Sequence, residues 1–244
     1  MVNALILAGD RGEDGVSKAL LRIGQKYMIE YIIDALNGCA NVKDIYIVCD
    51  ENVENKISSK VKGCIRPREG IIENIQAASE YIKDKNTPLI ICTADIPLVS
   101  SEAVDDFVIE CESKNIDVGY PIIDKRLNDV KYPDVKRTYV KMKEGTYTGG
   151  NIIYIKMEVI DKFTDKAKQL VQYRKKPLKM SRILGITFLL RLALGKLTIP
   201  AVESKIGRMF DVNGKAILTK YPEIGNDVDK QEDIDFVKKY LNIV

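Results

Sequence analysis

The chain is predicted to be an α/β protein built on a mainly parallel sheet, on three observations. Short apolar runs alternate with stretches of helical periodicity through the first half, as βαβ units require. A glycine-rich turn follows the first apolar run, and an aspartate follows the apolar run Leu89 to Cys92. The 244 residues are 45% hydrophobic and 30% charged, an ordinary composition for one folded core with an elaboration.

Taken in order, Val2 to Ala8 reads as the first strand. It lacks a basic flank and turns to glycine within a few residues, so it is not expected to be a signal peptide, and the protein is expected in the cytoplasm. Tyr27 to Leu36 has helical spacing, Ile45 to Cys49 reads as a strand, Ile71 to Ile82 as a helix and Leu89 to Cys92 as a strand. Right-handed crossovers would set the C-terminal ends of these strands along one edge, where open α/β sheets bind ligands. The informative loops are therefore those after Ala8, Cys49, Ile65 and Thr93. From about Asp117 the pattern changes: Val118 to Ile123, Thr138 to Met142 and Gly150 to Ile155 read as strands joined without intervening helices. Residues 157 to 208 read as helices broken by Pro177, Gly185, Gly195 and Pro200, and Ala216 to Tyr221 as one more strand. Gln231 to Leu241 is amphipathic, with Ile234, Val237 and Leu241 on one face, and reads as a packed terminal helix. With no internal repeat or linker, residues 1–244 are expected to form one domain with a helical elaboration at about 157–208.

Composition removes several kinds of chemistry. The 38 basic and 35 acidic residues give a net charge of +3, too even to call for nucleic acid as partner. Cys39, Cys49, Cys64, Cys92 and Cys111 are scattered without a CxxC pair and read as reduced core residues. The absence of histidine excludes Ser-His hydrolases, histidine bases and His-ligated metals. What remains is Asp, Glu, Lys, Arg and a hard cation.

Four segments have residues suited to that chemistry. The loop from Ala8 to Lys18 contains Gly9, Gly12 and Gly15, which let backbone N–H groups approach phosphate oxygens, and Arg11 and Lys18, which supply positive charge. It is neither a Walker loop nor GxGxxG, and the same residues also suit a solvated turn. In Thr93-Ala94-Asp95-Ile96-Pro97-Leu98, an aspartate at the end of an apolar strand is placed to hold Mg²⁺, though Asp is also common as a helix cap in such loops. Thr148-Gly149-Gly150-Asn151 permits close approach of a ligand, or simply makes a bulge or turn. In Gly225-Asn226-Asp227-Val228-Asp229, the alternating acids of an extended segment face the same way and could share one cation. Capping of the last helix accounts for Glu232 and Asp233.

In this order and spacing the four segments resemble those of the MobA-like nucleotidyltransferases, over nearly the whole chain. Leu7-Ala8-Gly9 and Lys18-Ala19-Leu20 match both ends of that family's L-A-G-G-x-G-x-R-(x)n-K-A-L loop. Between those ends the chain departs from the pattern: Asp10 stands at a usual glycine, Arg11 comes early, and Glu13 and Asp14 add negative charge. Asp95 matches the family's metal-binding aspartate, and Asp227-Val228-Asp229-Lys230-Gln231-Glu232-Asp233 is similar to its closing D-I-D-T-P-E-D, from which either Asp227 or Asp229 supplies a second metal ligand. The resemblance implies a Rossmann-like three-layer nucleotide-diphospho-sugar transferase (GT-A-like) fold with a mixed, mainly parallel sheet and a helical insertion. It also implies nucleotide binding by Leu7, Ala8, Gly9, Arg11, Gly12, Lys18, Gly70 and Asn74, with Lys18 and Asp95 catalytic. Acceptor binding would fall to Gly149, Gly150 and Asn151, and Mg²⁺ to Asp95, Asp227 and Asp229.

The implied reaction moves a nucleoside monophosphate from a nucleoside triphosphate to a phosphorylated small-molecule or lipid-linked acceptor and releases pyrophosphate. Two rivals stay open: a GT-A-type glycosyltransferase using a nucleotide sugar, which would normally show a D-x-D after the central strand, and a regulatory protein that binds nucleotide without turnover. The basic run Arg174 to Arg182 leads into Ile183 to Leu194, apolar on nearly every helical face and too short to span a bilayer. It must be buried in protein or in lipid. The plain reading is a core helix, or one buried in a homodimer; the sharper one is a lid whose cations meet an anionic acceptor or a membrane surface.

Overall fold

In the computed structural model, which describes residues 1–9, 17–173 and 177–243, the layering follows from the first strand. Along β1 (Val2–Leu7), Ala4 and Ile6 belong to one hydrophobic cluster and Leu5 to another, and all three are fully buried. Alternate side chains leave opposite faces of a strand, so both faces of the sheet are covered.

Next come the hairpin β2 (Arg22–Ile23) and β3 (Lys26–Tyr27), then α1 (Met28–Asn37), β4 (Val42–Val48), α2 (Glu51–Ile57), β5 (Gly63–Ile65), α3 (Ile71–Tyr81), β6 (Leu89–Thr93) and α4 (Ser101–Ser113). The second half runs β7 (Val118–Asp124), α5 (Lys125–Lys131), β8 (Val140–Lys141), β9 (Thr146–Gly149), β10 (Ile152–Ile155), α6 (Ile160–Tyr173), α7 (Pro177–Leu184), α8 (Ile186–Ala193), α9 (Ile199–Phe210), β11 (Gly214–Thr219) and α10 (Gln231–Tyr240).

One nine-stranded sheet has the order β5-β4-β1-β6-β10-β7-β9-β8, with β11 beside β7 off that path. The strands β5, β4, β1 and β6 are parallel, and β11 is parallel to β7. Antiparallel pairing of β10 with β6 and β7, and of β9 with β7 and β8, makes the sheet mixed. Parallel neighbours need crossovers, which α1, α2 and α3 provide, and the C-terminal ends of β1, β4 and β6 consequently share one edge. On one face α1, α2 and α4 pack around Ile6, Ile90 and Phe107; on the other α3 covers Leu5, Leu89 and Ile91. The result is an α/β three-layer fold. A third cluster, with Ile234 and Val237 of α10 against Ile23, Met28 and Val228, docks the C-terminal helix on the β2–β3 hairpin.

Three expectations are corrected. The strands after Asp117 are not joined without helices: α5 follows β7 directly, because the Asp124 carboxylate caps it, accepting from the Arg126 N–H at 2.8 Å. The strand expected at Thr138 to Met142 shrinks to β8, and its partner β9 takes in Thr148 and Gly149, which read as a loop; a Met142 N–H bond to the Gly145 carbonyl, 2.8 Å, closes the turn between them. Finally, no residue of α8 is buried, and Ile186, Leu190 and Leu194 are 60%, 55% and 65% exposed. The cause is the pair Gly185 (φ +92°) and Gly195 (φ +64°), which cut the apolar run so that a short helix turns only one face inward. Arg174, Lys175 and Lys176 of the basic run lie outside the described residues.

The five cysteines are free, and burial pushes the thiols of Cys39, Cys49, Cys92 and Cys111 up to about 12, so they stay protonated. No helix among the described residues is long and apolar enough to cross a membrane.

Candidate functional site

The central strands β1 and β6 pair in register, Leu7 opposite Thr93, so the turns that follow them emerge side by side. The Ala94 N–H bonds the Leu7 carbonyl at 3.2 Å and fixes one turn against the other. A cavity of about 450 Å³ opens there, bordered by Leu7, Ala8, Gly9, Lys18, Arg68, Gly70, Asn74 and Asp95. Lys18 is brought in because the Ser17 hydroxyl donates to the Ala8 carbonyl at 3.2 Å, tying the end of the loop to β1. Arg11 and Gly12, with the rest of 10–16, lie outside the described residues. On the facing wall Gly70 (φ +104°) starts α3 without a side-chain cap, leaving first-turn N–H groups and the positive end of the helix dipole at the cavity. The Asn74 Oδ1 accepts from the Arg68 N–H at 2.6 Å, and a Cβ on Gly9 would stand 3.5 Å from Asn74 Nδ2. Such a cavity suits a polyanion.

Beside it, carboxylate oxygens of Asp95, Asp227 and Asp229 lie within 4.8 Å of one another. Val228 explains the convergence: its side chain is buried and its N–H bonds the Asp95 carbonyl at 2.8 Å, so the flanking carboxylates turn the other way, toward Asp95. Burial raises the Asp95 carboxyl above its usual range, and the two neighbouring carboxylates raise it further. Its Oδ1 is buried without a hydrogen-bond partner among the described residues. Helix capping does not account for Asp95, because α4 is capped by Ser100, whose Oγ accepts from the Ala103 N–H at 3.2 Å. Nor does it account for Asp227 and Asp229, since Asp233 accepts from the N–H groups of Asp229 and Lys230, each at 2.8 Å. Counter-charges come from Arg137, paired with Asp227, and Lys18, whose Nζ lies 3.4 Å from an Asp229 oxygen. Three converging carboxylates, one with an orphaned buried oxygen, make a hard donor set that fits Mg²⁺.

Gly149, Gly150 and Asn151 do not border the 450 Å³ cavity. A Cβ at Gly150 would meet Ile224 at 2.7 Å and Pro121 at 2.9 Å, so glycine lets the turn Pro222–Gly225 lie against the sheet. The Asn151 N–H bonds the Ile224 carbonyl at 2.9 Å and its carbonyl accepts from Thr93 at 3.2 Å, linking the turn before Asp227 to the end of β6. A Cβ at Gly149 would stand 2.1 Å from the Tyr120 hydroxyl. Burial raises that hydroxyl's pKa, and the positive charge of Arg137 opposes the rise.

Two residues of the site escaped the sequence reading. Arg137 lies in a stretch with no periodicity and no motif, so nothing local points to it. Asn226 is 2% exposed with neither amide atom partnered among the described residues; its place between Gly225 and Asp227 was the available signal.

Residues 4–145 match the model of the MobA-like NTP transferase domain. Among solved structures, a hypothetical transferase from Thermus thermophilus is 32% identical with a TM-score of 0.85, over 96% of this chain and 99% of its own. CMP:2-keto-3-deoxy-manno-octonic acid synthetase complexed with CTP aligns with a TM-score of 0.64 at 12% identity, over 99% and 98% of the two chains. Molybdopterin-guanine dinucleotide biosynthesis protein A from Archaeoglobus fulgidus aligns with a TM-score of 0.57 at 15% identity, over 100% of both chains. At such identities these last two share the fold alone. A search of curated proteins returns no match.

Proposed function

The chain belongs to the MobA-like NTP transferase family, and from that premise we propose that it transfers a nucleoside monophosphate from a nucleoside triphosphate to a phosphorylated acceptor, releasing pyrophosphate. The observation that carries this reading is the meeting of Lys18, the α3 N-terminus and the cluster Asp95, Asp227 and Asp229 around one strand edge. An oxygen of the acceptor phosphate attacks the α-phosphorus, the bond from that phosphorus to the β-phosphate oxygen breaks, and its electron pair leaves with pyrophosphate. The attacking phosphate is ionised at neutral pH, so no general base is needed in a chain without histidine.

Gly9 lets the phosphates approach the backbone, and Lys18 exchanges its contact with Asp229 for the negative charge that gathers on the leaving pyrophosphate. Gly70 and Asn74 face the nucleoside. Asp95, Asp227 and Asp229 would hold Mg²⁺, which when bound neutralises phosphate oxygens and stabilises the charge of the transition state. Each of the four ribonucleoside triphosphates, incubated with a panel of phosphorylated acceptors and either Mg²⁺ or a chelator, tests the reading. Pyrophosphate release that needs acceptor and Mg²⁺ together is expected. Triphosphate binding without release across the whole panel would overturn it.

A further inference from the structure

The helices after residue 157 cover the sheet without sealing it. Between β7, β9, α8 and α9 lies a groove of about 510 Å³, and between β7, β10, α3 and α6 a second of about 300 Å³. Val118, Tyr120 and Ile206 line both, so the two make one trough across the sheet face. This space far exceeds the water-sized voids of a close-packed interior and falls in the range of ligand sites. Its walls are almost entirely apolar, and the charged pair in its lining, Lys215 and Glu203, is closed on itself at 2.9 Å, with Glu203 also accepting from the Ala216 N–H at 3.0 Å. A polar metabolite would lose its water there without gaining partners.

Through β9 the larger groove adjoins the segment that leads to the acidic cluster. Gly149, in the trough wall, contacts Tyr120, and a Cβ on Gly225 would stand 3.3 Å from the Gly149 carbonyl oxygen and 3.9 Å from Arg137 Nη2. Arg137 reaches Asp227 through one terminal nitrogen, while its buried Nε has no hydrogen-bond partner among the described residues. The place where trough and acidic cluster adjoin therefore holds a guanidinium, whose charge suits a phosphate. The same groove runs beneath α8, whose Phe188 and Leu192 line it while Ile186 and Leu190, with Leu194 just after the helix, face solvent. From Lys166 to Val202 the sequence contains no aspartate or glutamate, and Lys179, Arg182, Arg191 and Lys196 are exposed on this cover. Glu203 is neutralised by Lys215, and an apolar face among these exposed cations complements an anionic amphiphile.

We propose that the trough houses the aliphatic chain of the acceptor, which is therefore a phosphorylated lipid. Its phosphate lies at Arg137 beside the acidic cluster, and its chain passes Tyr120 and continues under α8. The role given to the phosphate rests on the nucleotidyl-transfer reading; the apolar site does not. The full chain is titrated with 11-(dansylamino)undecanoic acid below its micellar range, with 1-oleoyl lysophosphatidic acid, oleate and glycerol 3-phosphate as competitors. Saturable binding is expected, displaced more readily by lysophosphatidic acid than by oleate and not at all by glycerol 3-phosphate. Val202→Phe and Ala216→Phe, which fill the trough from helix and strand, should weaken probe binding by about tenfold or more with triphosphate affinity unchanged. Should one variant fail to fold, the other decides. Absence of saturable binding to the wild type, or undiminished binding by the folded variants, overturns the proposal. Pyrophosphate release as fast with glycerol 3-phosphate as with lysophosphatidic acid also overturns it and leaves nucleotidyl transfer intact. Probe binding in the trough with no release from any acceptor instead removes the transfer reading, and with it the acceptor role.

Discussion

Asp95 lies where a carboxylate is least comfortable: largely out of water, with one oxygen unpartnered and two further carboxylates close by. Such a group costs stability when nothing binds it, so Asp95→Asn should raise the thermal midpoint of the metal-free protein by roughly 2–4 °C, as expected for ~1 kcal/mol in a chain of this size. The same variant should lose any Mg²⁺-dependent rise in midpoint and slow transfer by about 10²- to 10³-fold. A normal Mg²⁺ shift in the variant would remove Asp95 from the metal site. Lys18 contrasts with it: its pair with the largely exposed Asp229 contributes little to folding, so Lys18→Ala should fold normally. Calorimetry should show triphosphate affinity falling roughly 10- to 100-fold, the worth of one charge-assisted contact; equal affinity would return the segment to an ordinary turn. Asp95, Asp227 and Asp229 were legible as candidates because they follow a strand or form an alternating pair, where chain geometry decides which way a side chain goes, and Lys18 because it closes a glycine-rich loop. Arg137 was not, because its position depends on a long connection folding back, and no local pattern encodes that.

Several long elements were readable from their own period, short ones held by a single cap or turn were not, and α4 went unread although Ala103, Val104, Phe107, Val108 and Cys111 recur at helical spacing. The crossover helices α1 and α3 each carry several turns of apolar spacing, whereas α5 has seven residues and β8 two. The trough belongs to the same lesson: apolar residues from Ile183 to Leu194 announced a buried helix, but whether the space beneath it would be filled depended on residues of β7, β8, β9, α9 and β11. The turn before β6 shows what one residue does for an element. Asp84 accepts from the Thr87 hydroxyl at 2.7 Å, from Lys43 at 3.1 Å, and from the N–H groups of Thr87 and Asn86 at 3.2 and 3.1 Å. The Thr87 hydroxyl and Lys43 hold its carboxyl well below the usual value of 3.8. A carboxyl with a lowered folded pKa stabilises the protein above its unfolded value and loses that contribution as pH falls through the folded one. Asp84→Asn should therefore lower the urea midpoint at neutral pH, with the gap to wild type narrowing once the pH drops below about 4. A gap that stays constant down to the acid transition would mean that ionisation of Asp84 is not what holds the turn.

At the scale of the molecule, the site is assembled from opposite ends of the chain, which makes ligand binding and docking of the C-terminus one equilibrium. Lys18 meets Asp229, and the Val228 N–H bonds the Asp95 carbonyl at 2.8 Å. What holds that segment is the small cluster under α10, where Val237 is 1% exposed, together with Phe236 and Tyr240 against the Tyr132 ring at 5.5 and 4.8 Å. A site that requires Asp227 and Asp229 in place can bind only the docked form, so each ligand stabilises docking by its own binding free energy. Val237→Ala should cost about 1–3 kcal/mol by leaving a cavity in this cluster, read as a lower urea midpoint. Val237 itself borders neither the cavity nor the carboxylates, so loss of triphosphate or Mg²⁺ affinity in that variant reports a coupling passed through the cluster, by way of Met28 and Val228. Hydrogen exchange gives the reciprocal reading: triphosphate with Mg²⁺ should slow exchange at the Val228 amide, through α10 and in the β2–β3 hairpin it packs on. Protection confined to the loops around Gly9 and Gly70, with α10 exchanging as before, would show that the C-terminal acids do not take part in binding.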